Sequence, residues 1–169
     1  MGIEVEKDES QVEKVVERVE NLQDKSLEIG IFGEDDSELL MIATVNEYGI
    51  EIDVTEAMRN YLHAVGLHLS NDTNTINIPE RRFIRGAFEQ KKQEMMEQTQ
   101  KLVEQYIYLQ IDEEAFWSTL GQVLAGKVQE YMTELDSPPN HPFTIRQKGS
   151  SNPLIDSGRL RQAVTWKVR

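Results

Sequence analysis

The sequence predicts an α+β fold: a small antiparallel or mixed sheet packed with two long antiparallel helices, plus shorter terminal helices. Three observations predict it. Residues 80–135 carry apolar residues at helical spacing in two successive stretches. Residues 26–33 and 50–54 alternate apolar with polar or small residues, the period of a half-buried strand. The chain closes on a helix-then-strand pattern, "DSGRLRQAVTWKVR".

The elements follow in order. "SQVE" reads as a capping box, Ser10 reaching the Glu13 amide and Glu13 reaching back. Val12, Val15, Val16, Val19 and Leu22 then mark an acidic helix within residues 1–25. "SLEIGIFG" reads as a strand and "GEDDSE" as a turn. The apolar run "LLMIATV" fits either a buried strand or the start of a packed helix, and a hairpin with the preceding strand is expected. Gly49 ends this unit with a positive φ. "IEIDV" is a short strand, Thr55 caps a helix through "EAMRNYLHAVGLHL", and Ser70–Asn77 is a loop or hairpin tip. Pro79 marks the passage from extended chain into a helix spanning about Glu80 to Gln110. Asp112 caps the second long helix, so residues 80–135 form an antiparallel pair. "DSPPNHP" stops that helix, and residues 136–153 are a loop in which "FTIRQ" is a candidate strand. In the docking segment 154–169, Asp156 or Ser157 caps a short helix and "TWKV" adds a strand, to the chain's own sheet in preference to a neighbour's.

A chain of 169 residues suits one domain with a real core. The hydrophobic fraction, 38%, is low and the charged fraction, 28%, slightly high, which suits an extended or partner-dependent subunit. No cysteine is present, so disulfide frames, thiolate metal sites and cysteine nucleophiles are excluded. No apolar run reaches the roughly 20 residues of a membrane span, and the acidic Met1–Ser10 stretch is no signal peptide. A soluble protein made and used inside a cell, with no membrane partner, is expected.

The net charge of -12 is uneven. Residues 1–58 hold 17 acidic and 4 basic residues, whereas residues 144–169 hold 1 acidic and 6 basic. Such a surface repels nucleic-acid phosphates on average. Either the basic end is an ordinary solvated face, or it meets the acidic front of another subunit.

Candidate chemistry is sparse. His63 and His68 are five apart, not the three or four that stack ligands on a helix, and His141 lies between prolines. "EDD" at 34–36 fits a hairpin tip, and "DEE" at 112–114 fits a helix N-terminus, where carboxylates favour the dipole. No phosphate-cradling glycine loop or nucleophile elbow occurs. No enzyme, cofactor or metal is expected. In "PERRFIR", Arg81, Arg82 and Arg85 bracket Phe83 at a helix start, either snorkelling over an apolar plug or bridging to a neighbour's carboxylates. Trp117 reads as core, and Trp166 as core or interface.

"VNEYG", "NIPERRFIR" and "NPLIDSGRLRQAVTWKV" occur in that order. Together they resemble the virion-morphogenesis or tail-completion (neck) proteins of tailed bacteriophages, the Mu G-protein-like family. There an aromatic-glycine turn, an "IPxRxFxR" stretch and a terminal "PLxDSGxLxxS/A" stretch recur between long helices. The resemblance covers most of residues 27–169, and the last motif is its most specific part. It implies a structural, non-catalytic protein of the head–tail junction, in the virion after assembly in the host bacterial cytoplasm. It implies a homo-oligomeric ring, hexamer or dodecamer, that joins tail to head around the DNA channel. The implied partners are head connector or adaptor proteins and tail terminator or tail tube proteins, with packaged DNA only passing through. Carried over by position, Tyr48, Gly49, Pro79, Arg82, Phe83, Asp156, Ser157, Gly158 and Leu160 serve fold and subunit contact. Arg159, Arg161 and Trp166 join them as the basic docking element. The residues alone leave two other classes open: an intracellular adaptor that binds a partner through its long helices, and a metal-dependent hydrolase built on the acidic clusters.

Overall fold

The computed structural model describes residues 9–33 and 36–169. The frame is helical. Helix α1 (Glu9–Asp24) leads into strand β1 (Leu27–Gly30), and helix α2 (Ser37–Tyr48) follows. Strand β2 (Ile50–Asp53), helix α3 (Glu56–Ala64) and strand β3 (Thr75–Ile78) make a projecting arm. Helices α4 (Phe83–Gln90), α5 (Lys92–Ile107) and α6 (Glu113–Glu134) form the body. Helix α7 (Pro142–Lys148), helix α8 (Arg159–Gln162) and strand β4 (Thr165–Val168) close the chain. The architecture is α+β, and the strands among the described residues form two small antiparallel sheets, β1–β4 and β2–β3.

Helix α6 is the spine, and its caps follow from sequence. The Asp112 carboxylate accepts from the Ala115 amide at 2.8 Å, satisfying one of the free N–H groups of the first turn. Phe116 and Leu120 face one core with Tyr106, Leu22 and Leu27, and Tyr106 stacks on Phe116 at 4.9 Å. Ala125, Val128 and Met132 face a second core with Phe83, Ala87, Leu39, Leu154 and Leu160. The apolar stripe thus joins two cores end to end along a helix of about 33 Å.

The long helix expected over Glu80–Gln110 is two helices. The break is at Lys91 (φ -98°, ψ 11°), which both ends α4 and starts α5. There the Lys91 ammonium reaches Glu130 and Glu134 on α6. Thr55 caps α3 as expected, accepting from Met58 N at 3.2 Å, but α3 stops at Ala64, short of Leu69. The Ser10 side chain of the expected capping box, residues 1–8 and most of the expected "EDD" turn lie outside the described residues.

The expected hairpin between residues 26–33 and 39–45 does not form. Residues 39–45 are helical because Asp36 caps α2, its carboxylate accepting from Leu39 N at 2.9 Å. Leu39, Ala43 and Glu47 then face inward at four-residue steps, a spacing that an unbroken apolar run conceals. β1 instead pairs antiparallel with β4, Leu27 opposite Val168 and Gly30 opposite Thr165. The last strand therefore docks on the chain's own first strand. Trp166 of β4 lies against α6 at Gly121, where a Cβ would fall 2.2 Å from the indole, so only glycine admits the ring. "FTIRQ" is helical, not extended. Pro142 occupies the first turn, and His141 Nδ1 accepts from Phe143 N at 3.2 Å.

Candidate functional site

The three stretches that carry the resemblance meet at one junction. Gly49 makes the first contact. Its φ is 71°, its amide closes α2 onto Val45 O at 2.8 Å, and a Cβ there would lie 2.8 Å from Glu80 N. Glycine is thus required twice, for the turn and for the passage of the 78–80 backbone.

Glu47 makes the second. It sits in the last turn of α2 and is almost fully buried. Its carboxylate accepts from the Ile84 and Arg85 amides, at 2.8 and 3.1 Å, in the first turn of α4. Arg82, at the cap position of α4, makes no side-chain cap and has a strained φ of 26°. The cap therefore comes from another helix, and its negative charge suits the helix N-terminus. Arg85 closes the arrangement. Its guanidinium binds Glu47 Oε1 at 2.8 Å and the Glu47 carbonyl at 2.6 Å, and lies 4.6 Å over the Tyr48 ring. The hydrogen bond that Arg85 donates to the Glu47 carboxylate holds it above the usual guanidinium range.

Arg81 makes the third contact, and only 6% of it is exposed. Its amide donates to Asn46 O at 2.6 Å. Its guanidinium donates to Asn46 Oδ1 at 3.1 Å, Asn140 Oδ1 at 3.0 Å and Pro138 O at 3.3 Å. Burial pushes it down from the usual guanidinium range. Asn140 in turn donates to Pro153 O at 3.3 Å. Asn152 ties the last stretch to the spine: its amide donates to Met132 O and Leu135 O, carbonyls at the end of α6. Its Oδ1 accepts from Leu154 N and Ile155 N at 2.8 and 2.9 Å.

The expected residues divide around this junction. Tyr48, Gly49, Pro79 and Phe83 belong to it or border it, and Phe83 is wholly buried. Arg82 does not. It is half-buried and its guanidinium pairs with Glu89, and the buried arginine of "PERRFIR" is its neighbour Arg81. Each of the three arginines is engaged within the chain, Arg82 and Arg85 by carboxylates and Arg81 by neutral oxygens alone. Asp156 and Ser157 do not cap α8. Its cap position is Gly158, at φ 85° with no side-chain hydrogen bond, and both residues are exposed. Leu160 is core. Arg159 pairs with Asp36 at 2.6 Å and Arg161 donates to Thr133 Oγ1 at 3.3 Å. Arg169 pairs with Glu28 at 2.8 Å. The basic end thus meets the acidic front of its own chain. Asn46, Glu47, Asn140 and Asn152 were not singled out from sequence. For Arg81 and Arg85 the signal was their four-residue spacing in "IPxRxFxR".

Beside the junction opens a cleft of about 870 Å³ between the arm and the face formed by α2, α7 and residues 153–160. Met41, Val45, Ile52, Leu69, Ile76 and Phe143 give it apolar walls, and Pro79 and residues 156–160 line it too. The two histidines lie on the arm, their Nδ1 atoms 2.7 Å apart because the chain turns back after α3. Among the described residues no group of three or more His, Asp or Glu could hold a metal ion. Among the described residues, too, no helix is long and apolar enough to cross a membrane.

No family model, curated protein or solved structure matches the chain.

Proposed function

We propose that this chain is a structural subunit of the head–tail junction of a tailed bacteriophage, a neck or tail-completion protein that works as a closed ring around the DNA channel. One observation carries the reading. The three sequence stretches that resemble that family, some 30 and 70 residues apart, converge on a single junction beside an open apolar cleft. The polar groups there hold chain segments together. Both oxygens of Glu47 are taken up by α4 amides and Arg85, and Arg81 is spent on Asn46, Asn140 and Pro138. A site so committed suits a scaffold rather than a reaction. The net charge of -12 would let DNA pass a ring's lumen without adhering.

The structure alters one part of the expected mechanism. The basic C-terminal segment is engaged within its own subunit, so charge reversal at Arg159 acts first on the α2–α8 contact. Light scattering of the purified protein across concentration and salt tests the reading. A single large oligomer, seen as rings by electron microscopy, is the expected result. A strict monomer at every concentration overturns the ring.

A further inference from the structure

Among the described residues, two apolar surfaces lie unpartnered at opposite ends of α6. The first is the cleft, closed on one side by an arm in which no residue is buried. Met41, on its α2 wall, is 60% exposed. The cleft is also positive, a notable property in so acidic a chain. Among the described residues that line it, Arg81, Lys148 and Arg159 stand against one carboxylate, Asp156, and Arg159 is itself paired with Asp36. Arg81 and Lys148 are held by neutral oxygens. The Lys148 ammonium donates to the carbonyls of Asn152, Pro153 and Ile155, and burial pushes it below its ordinary range.

The second surface is on α1. Leu22 joins the Tyr106–Phe116 core, and Arg18 lies 4.6 Å over the Tyr106 ring and donates to Ile111 O at 2.8 Å. That anchors one face of the helix. Val12, Val16 and Val19 form the next face at four- and three-residue steps, 62%, 50% and 38% exposed. Glu13, Glu17, Glu20 and Asp24 form the face beyond, at steps of four, three and four. The order around α1 is therefore anchored, apolar, acidic.

The two surfaces fit each other in chemistry but cannot meet within one subunit. α1 is fixed at the Phe116 end of α6, whereas the cleft lies beyond the Met132–Leu135 end, where Asn152 and Leu154 attach. The spine between them is about 33 Å long.

We infer that the occupant of the cleft is helix α1 of a second copy of this chain, its valine ridge on the apolar walls and its glutamate flank toward the charges of Arg81 and Lys148, which only neutral oxygens hold. The contact is heterologous, one patch meeting a different one, and repeats from subunit to subunit until a ring closes. It rests on the ring reading above and names the surfaces that build the ring.

Complementation between two variants tests it. V12D/V16D spoils the ridge and keeps the cleft, and Met41→Asp spoils the cleft and keeps the ridge. The altered side chains are at least half exposed, so the subunit fold survives, as circular dichroism checks. E13K/E17K, on the acidic flank alone, replaces V12D/V16D if that variant unfolds. Each variant alone is expected to self-associate about tenfold or more weakly and to run as a monomer. Mixed, they form a one-to-one dimer, because one intact ridge and one intact cleft remain. Variants that keep the wild-type oligomer, or a mixture that stays monomeric, overturn the α1–cleft contact while a wild-type oligomer leaves the ring reading standing. A monomeric wild type removes both.

Discussion

The body and the arm are built from the same apolar residue types and treat them in opposite ways. In α4–α6, Phe83, Ala87, Phe116, Val128 and Met132 are sealed between helices. In the arm, from Ile50 to Ile78, no residue is buried, although Ile50, Ile52, Leu67, Leu69, Ile76 and Ile78 recur along it. The arm is a two-stranded hairpin with one short helix, and such a ribbon is marginal by itself. Arg59 gives it internal order by donating to Ser70 O and Thr73 O at 2.7 and 2.6 Å. The body thus encloses its apolar side chains, whereas the arm presents its own as one wall of the open cleft.

The sharpest way to break this contrast is to truncate one side chain in each region. Phe83→Ala should destabilise the subunit by about 3–5 kcal/mol, since the ring is wholly enclosed and leaves a cavity. Ile52→Ala should cost under about 1 kcal/mol in the isolated subunit, since its wall faces the open cleft. Urea unfolding compares the two, and equal losses would erase the distinction. The junction between the regions is next. Glu47→Ala uncaps α4 and strips Arg85 of its buried partner, with an expected loss of about 2–4 kcal/mol. Glu47→Gln keeps an acceptor for one amide and should recover part of it, by the same measurement.

The smallest effect is electrostatic. Asp36 is held below its ordinary value of 3.8 by the Leu39 amide and by Arg159. Glu113 is held below 4.5 by Lys25, and Glu130 by Lys127 and Lys91. A carboxylate lowered by folding stabilises the folded state above its unfolded value, and that contribution disappears as pH falls through the folded value. Stability should therefore be flat above about pH 5 and decline below about pH 4. Asp36→Asn retains a cap for Leu39 but loses the Arg159 pair, so its acid decline should be shallower than wild type in thermal unfolding scans. An identical profile would remove Asp36 from the account.

Local chemistry made much of this protein legible in the sequence. Thr55 and Asp112 cap α3 and α6, Gly49 makes the turn and "TWKV" is a strand, because each depends on a few neighbouring residues. The two-region apolar stripe of residues 80–135 likewise marked the body. What the sequence could not decide was partnership. "LLMIATV" fits strand or helix by pattern, and Asp36 with the core behind Leu39 and Ala43 selects the helix. "SLEIG" pairs with a strand some 140 residues away and not with its neighbour. Arg81 and Arg82 are adjacent and alike, yet one is buried among asparagines and the other faces Glu89. Glu47 caps a helix that begins 36 residues later. Periodicity and capping are short-range and can be read along the chain. Which surface meets which, and which charge is enclosed, follows from close packing between distant segments, so only the tertiary structure decided it.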